Sequence, residues 1–137
     1  MREIQDTFLH YIADNLDPSI PARALRDDTS DASAGVLQLN AVNLSFLNFT
    51  LNKPSTPSTL QAVIDILNDN ESACVDWVNA VWLLLRGIMI PLLDYSVPST
   101  PAPVGRNLFW DKFTFRKVSG NSYAHYSCTV LLHFSAV

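Results

Sequence analysis

From Tyr126 to Ala136 the even positions hold Tyr126, Cys128, Val130, Leu132, Phe134 and Ala136, and the odd ones hold Ser127, Thr129, Leu131, His133 and Ser135. Alternation of this kind, broken only by Leu131, predicts a strand with one buried face. Upstream, Phe109, Phe113 and Phe115 alternate with Trp110, Lys112, Thr114 and Arg116. Between the two runs lies Ser119-Gly120-Asn121-Ser122, residue types that accept the positive φ of a hairpin turn. Residues 107–137 therefore read as a C-terminal β-hairpin whose aromatic face the rest of the chain must cover. The expected cover is a set of helices that includes Trp82 and Leu85, lying over Phe113, Tyr126, Val130, Leu132 and Phe134.

The same reading, taken from the start, gives an amphipathic helix over residues 2–16. Ile4, Phe8, Tyr11, Ile12 and Leu16 form its stripe, and Asp17-Pro18 ends it. Residues 19–34 read as a polar loop, with the acidic run Asp27, Asp28 and Asp31 inside it. Residues 36–51 form a second β region: Val42, Leu44 and Phe46 alternate, and the phase flips at Phe46-Leu47, as a β-bulge or a sheet covered on both faces would require. After the turn-rich stretch 52–58, Ser58 or Thr59 is placed to cap a helix carrying Leu60, Val63, Ile64 and Leu67 at i, i+3, i+4, i+7. Asn68-Asp69-Asn70 interrupts, and Glu71 or Ser72 opens another helix. Its stripe is Val75, Val78, Val81, Trp82, Leu85 and Met89. Leu83, Leu84 and Ile88 make it apolar nearly all round, so burial on more than one side is expected. Gly87 and Pro91 mark its end. Residues 96–105, SVPSTPAPVG, read as an extended Pro-rich excursion.

The order predicts a single α+β domain spanning residues 1–137. Its mostly antiparallel sheet has long strands and a C-terminal hairpin, covered by an N-terminal helix and a central helical block. A chain of 137 residues builds a sufficient core unaided. Only 16% of residues are charged against 48% hydrophobic, which argues against disorder and fits either a large core or a face buried against another subunit. The net charge of −4 argues against general nucleic-acid binding, which needs a basic stripe. Met1-Arg2-Glu3-Ile4 shows no signal region, so secretion is not expected. Residues 75–93, interrupted by Asp76, Asn79, Arg86 and Pro91, fall short of the ~20 apolar residues of a membrane span.

Candidate chemistry is sparse. There is no GxSxG nucleophile elbow and no glycine-rich phosphate loop. His10 lies on or beside a polar helix face. His125 and His133 share one strand face but stand roughly 27 Å apart at ~3.4 Å per residue, too far to hold one metal. Asp65, Asp76, Asp94 and Asp111 are the carboxylates available for acid–base work, with Asp76 and Asp111 the least solvated by their neighbours; a rim Asp pairing with an amide or an Arg is the simpler reading. Asp27, Asp28 and Asp31 are hard oxygen donors, but no calcium-loop spacing ends in a Glu, and a solvated loop explains them. Cys74 and Cys128 read as buried, unbridged core thiols. No catalytic residue, cofactor or metal is expected. Trp77, Trp82 and Trp110 suit a core or an interface equally.

The element order resembles the tail terminator (tail completion) proteins of long-tailed bacteriophages. The resemblance rests on the leading helix over residues 2–16, the strand region with Leu39-Asn40-Ala41-Val42-Asn43-Leu44-Ser45-Phe46, the central helical block and the closing strand Cys128-Thr129-Val130-Leu131-Leu132-His133-Phe134. The Pro-rich loop at residues 96–105 does not map onto that family. The resemblance implies a structural virion protein of the tail and neck, made in the host bacterial cytoplasm. It would form a ring, usually hexameric, that caps the tail tube and joins it to the head through a head-completion or connector protein, with DNA passing unbound. A hot-dog-like α+β enzyme and a ligand-binding or adaptor domain are the alternatives. A ring subunit meets its neighbour with two different surfaces. The acidic run Asp27, Asp28, Asp31 and the basic corner Lys112, Arg116, Lys117 form an opposite-sign pair suited to such a contact.

Overall fold

The computed structural model describes residues 2–25, 36–53 and 55–135. Two helices, α1 (Arg2–Asn15) and α2 (Glu71–Leu85), accompany seven strands: β1 (Ala22–Ala24), β2 (Ala41–Thr50), β3 (Ser58–Asn68), β4 (Met89–Asp94), β5 (Ala102–Phe109), β6 (Phe113–Lys117) and β7 (Ala124–Phe134). They form one sheet in the order β1-β2-β3-β7-β5-β4, with β6 also paired to β7. Only β1 and β2 run parallel. The class is α+β, with the expected leading helix, long antiparallel strands, central helix and C-terminal hairpin.

Register explains the core. Leu44, Ile64, Cys128 and Phe115 lie in one cross-strand row, and Phe46, Ala62, Val130 and Phe113 in the next. Side chains in such rows share one sheet face. Onto that face α1 delivers Ile4, Phe8 and Ile12, and α2 delivers Cys74, Val81 and Leu85. Phe8 meets Phe46 and Trp110 edge-on, at centroid distances of 6.4 and 5.7 Å. Each fully buried side chain of this size stabilises by about 1.5–3 kcal/mol. The opposite face carries neither helix. Of the hairpin residues expected in the core, Val130, Leu132 and Phe134 are buried, while Tyr126 and Phe113 are half-buried.

The phase flip in β2 is a local irregularity: the register with β3 shifts between Leu47 and Thr50, and Asn48 has φ 56°. Asn is among the few residues that tolerate this left-handed conformation. Beyond it Phe49 turns back to stack on Phe134, with centroids 6.0 Å apart.

Several expectations are corrected. Residues 58–67 are not a helix but the first part of β3, the strand between β2 and β7. Leu60, Ala62, Ile64 and Ile66 are its buried apolar set on the helix-covered face. The run is so apolar that periods of 3.6 and 2 both fit it, and pairing partners on both sides decide for the strand. Ser58 caps no helix; its hydroxyl accepts from the Asn52 N–H. The loop after α1 contains β1. Pro91 sits inside edge strand β4, where a proline is tolerated beside the register irregularity at Pro91/Leu93. The last four residues of the Pro-rich excursion are strand, since β5 begins at Ala102. Within the chain α2 is buried on one side only, leaving Val75, Trp82 and Leu83 exposed.

The ends of α2 are held by partners. Asn70 is its N-cap and accepts from the Ala73 N–H at 3.0 Å. Near the C-terminus the Tyr11 hydroxyl donates to the Leu84 carbonyl at 2.6 Å, and Trp110 Nε1 donates to the Leu85 carbonyl at 3.0 Å. The bond to Leu85 satisfies a carbonyl at the helix end, and the Leu84 carbonyl accepts from the Gly87 N–H at 3.3 Å as well as from Tyr11.

Candidate functional site

The helix-free face of the sheet holds the polar cluster closest to a catalytic arrangement. One row across it runs Arg23, Asn43, Asp65, Ser127 and Arg116. Asn43 is fully buried, and its amide is held by the Gln38 N–H and the carbonyls of Gln38, Ala41 and Asp65. Arg23 Nη1 donates to Asn43 Oδ1 at 3.3 Å and to the Val36 carbonyl at 2.7 Å. Diagonally across the β3–β7 pair, His125 Nε2 lies 2.8 Å from Asp65 Oδ1, with both side chains mostly buried. Ser127 stands on the same face, two residues along. No hydrogen bond joins it to His125, so Ser127, His125 and Asp65 do not form the relay that activates a serine. The pair ties two central strands together.

A second cluster lies at the start of α2. Glu71 Oε1 accepts from Lys117 Nζ and from the Tyr126 hydroxyl, both at 2.8 Å. The Lys117 and Tyr126 hydrogen bonds hold the Glu71 carboxyl below its usual range, and the bond to Glu71 raises Lys117 and Tyr126. Elsewhere His10 stacks on Tyr95 with centroids 4.1 Å apart, beside an open cleft of about 290 Å³ between α1 and β4. His133 stacks on Phe109 at 5.2 Å and lies 3.9 Å from Asp111. Asp76 and Asp111, expected to be the least solvated carboxylates, are exposed. Among the described residues no three His, Cys, Asp or Glu side chains are grouped to hold a metal ion. Cys74 and Cys128 are buried and unbridged. Burial pushes the Cys74 thiol up to about 11 and the Cys128 thiol up to about 12.

The basic corner is divided by strand alternation. Lys117 belongs to the helix-covered face, where Glu71 takes its charge, while Arg116 belongs to the helix-free face. Arg116 and Lys112 are exposed and make no ion pair among the described residues. Asp27, Asp28 and Asp31 lie outside the described residues.

What sequence reasoning underrated is apolar exposure. On the helix-free face Leu47 and Leu131 lie on either side of Gln61 in one row. His133, Phe109 and Met89 continue the next row onto β5 and β4. Leu47, Leu131, Phe109 and Met89 are all exposed, by 36 to 58%. Away from the core, α2 exposes Val75, Trp82 and Leu83, and Arg86 lies over the Trp82 ring at 5.4 Å. The signal was present in Leu131, the one break in the β7 alternation. Compared with known proteins, the chain matches no protein-family model and no curated protein.

Proposed function

We propose that the chain is a structural ring subunit acting as a phage tail terminator: a hexamer, as the resemblance implies, capping the tail tube and meeting a head-completion or connector protein on its other side. The observation that carries the assembly reading is the presence of two uncovered apolar surfaces on one small chain. One is the solvent side of α2 and the other is the helix-free face of the sheet. Exposed apolar patches of this kind mark contact surfaces, and different surfaces meeting head-to-tail generate closed rings. Trp82 with Arg86 adds the residue types enriched at interface hot spots.

The order of elements supports the tail reading in part: leading helix, long strand region, a central helix and closing strand follow in the sequence the resemblance implies, although residues 58–67 of the expected helical block are strand. A wall with net negative charge also gains nothing from passing phosphates, which suits a channel for DNA.

Native mass spectrometry together with negative-stain microscopy of the purified protein tests the assembly. A closed ring with a central opening is expected, and a monomer or a two-fold dimer at every concentration would overturn the reading. Incubation of the ring with assembled tail-tube protein tests the tail assignment. The ring should cap tube ends, and rings that leave tube length and ends unchanged would remove that assignment.

A further inference from the structure

Helix α2 carries apolar side chains nearly all round, the pattern of a helix enclosed on more than one side. Its own sheet takes Cys74, Val81 and Leu85 and leaves Val75, Trp82 and Leu83 exposed. The sheet has the converse deficit: both helices lie on one face, and the other exposes Leu47, Leu131, Phe109 and Met89. A helix stripe and a sheet face are surfaces that layered folds bury against one another. This chain offers one of each, and they cannot meet within it, because α2 already lies on the opposite side of its own sheet.

We infer that α2 of one copy docks on the helix-free face of the next, running parallel to β7, so that the helix lies between two sheets. Charge and polarity select this occupant and its direction. On the outer side of α2, Asp76 and Asn79 come first, then Trp82 and Leu83, and Arg86 follows the helix. Asp76 to Arg86 spans about 15 Å at ~1.5 Å per residue. On the helix-free face Arg116 stands in the row of Ser127, Thr129 follows, then Leu131, and Asp111 lies 3.9 Å from His133 at the far end. Ser127 to His133 spans about 20 Å at ~3.4 Å per residue. Set parallel to β7, the helix brings Asp76 to the end where Arg116 stands, Trp82 and Leu83 to Leu131, and Arg86 to Asp111. The reverse direction would set Arg86 against Arg116 and Asp76 against Asp111. Asp76, Arg86 and Arg116 make no ion pair among the described residues. The inference rests on the ring reading for its partner and adds which surfaces meet, in which direction and through which charges. Each copy gives its helix on one side and its sheet face on the other, so the contact is head-to-tail and repeats.

Disulfide trapping tests the contact. Leu83→Cys and Leu131→Cys are combined in one chain, the native Cys74 and Cys128 being buried. Positions 83 and 131 lie on opposite sides of their own sheet, so they cannot bridge within a chain. Mild oxidation of the assembled double variant should give a ladder of covalent oligomers up to ring size on denaturing gels, and either single variant nothing beyond dimers. Charge variants test the direction. Arg86→Glu and Asp111→Lys should each raise the concentration for half-assembly by about tenfold. An equimolar mixture of the two should assemble like the unmodified chain, because alternating copies restore opposite charges at every contact. Rings of the double variant that give no ladder, or a mixture no better than either charge variant alone, would overturn this docking and leave the ring reading standing. An unmodified chain that stays monomeric at every concentration would overturn both.

Discussion

Thr7 and Leu93 are joined by two hydrogen bonds through one hydroxyl: Thr7 Oγ1 donates to the Leu93 carbonyl at 3.2 Å and accepts from the Leu93 N–H at 3.1 Å. A helix residue thereby occupies the position that a neighbouring strand would take at the edge of β4. Thr7 is itself buried, on the stripe that carries Ile4 and Phe8. Thr7→Val keeps the shape and removes both bonds, leaving two partly buried backbone groups without their partner. The expected loss is about 1–3 kcal/mol of stability, read by urea denaturation, with aggregation increasing as the edge opens. A Val variant with an unchanged urea midpoint would show that the hydroxyl does not hold this edge.

Trp110 performs two tasks. Its ring is 1% exposed and packs on Phe8 and Tyr11, while Nε1 donates to the Leu85 carbonyl at the end of α2. Trp110→Phe should cost less than Trp110→Ala, because the smaller ring keeps much of the packing and loses the donor. The Ala variant should lose about 3–5 kcal/mol, the usual range for emptying such a site. Equal midpoints for the Phe variant and the parent would mean that the bond to Leu85 contributes nothing.

The two ends of the chain were legible because one period dominates each of them. Phe8, Tyr11 and Ile12, at i, i+3 and i+4, admit only a helical stripe, and Cys128, Val130, Leu132 and Phe134 fit a strand. The middle was not. In β3 the residues Leu60, Val63, Ile64 and Leu67 satisfy a helix as well as a strand, because Val63 and Leu67, on the face away from the helices, are apolar too. Only the pairing with β2 and β7, contacts distant in sequence, settles it. The short strand β4 was hidden by Pro91, which reads locally as a helix terminator. Of the candidate surface, Arg116 and Lys112 were legible as charges, but that Lys117 turns to Glu71 depends on tertiary placement. The exposure of Leu47, Phe109 and Met89 on one face could be read only after the strand order was in hand.

The buried thiols give a chemical test of the core. Cys74 directs its Sγ toward the Ile66 and Ala124 carbonyls, and Cys128 is fully buried in β7. With Cys74 raised from 9.0 to about 11 and Cys128 from 9.0 to about 12, the reactive thiolate of the folded protein at pH 8 is depleted by roughly a hundredfold or more at both sites. An aromatic disulfide reagent should therefore leave both unmodified in the native protein and titrate both after denaturation. Fast labelling of either without unfolding would contradict the packing of α2 on β7.

The Glu71 cluster fixes a direction of pH dependence. Hydrogen bonds from Lys117 and Tyr126 lower the carboxyl, so its contribution is present above the ordinary carboxylate range and is lost as pH falls through the lowered value. Glu71 also lies in the first turn of α2, where a negative charge is favourable, and protonation removes that as well. Lys117 is raised, so its share is present below its ordinary value of 10.5 and lost as pH rises through the raised one. Glu71→Gln should lower the melting temperature at pH 7 and converge with the parent in strong acid. A difference that stayed constant down to pH 2 would mean that the ionised carboxylate is not the stabilising species.

Charge reversal tests the assignment of partners at the proposed ring contact. Lys112 and Arg116 are exposed and unpaired among the described residues, and the acidic residues Asp27 and Asp28 follow β1 in sequence. If these charges face one another across copies, changing Asp27 and Asp28 together to Lys should weaken assembly and leave the folding transition of the dissociated subunit unchanged. Adding Lys112→Glu and Arg116→Glu to the same chain should restore part of the assembly, since a head-to-tail contact brings the altered patches of successive subunits together. An exposed charge contact is least screened at low ionic strength, where the Debye length is about 30 Å at 0.01 M salt, so the loss should be largest there and shrink as salt is added. Rings formed equally well by the acidic-run variant in low salt would show that the two patches do not meet.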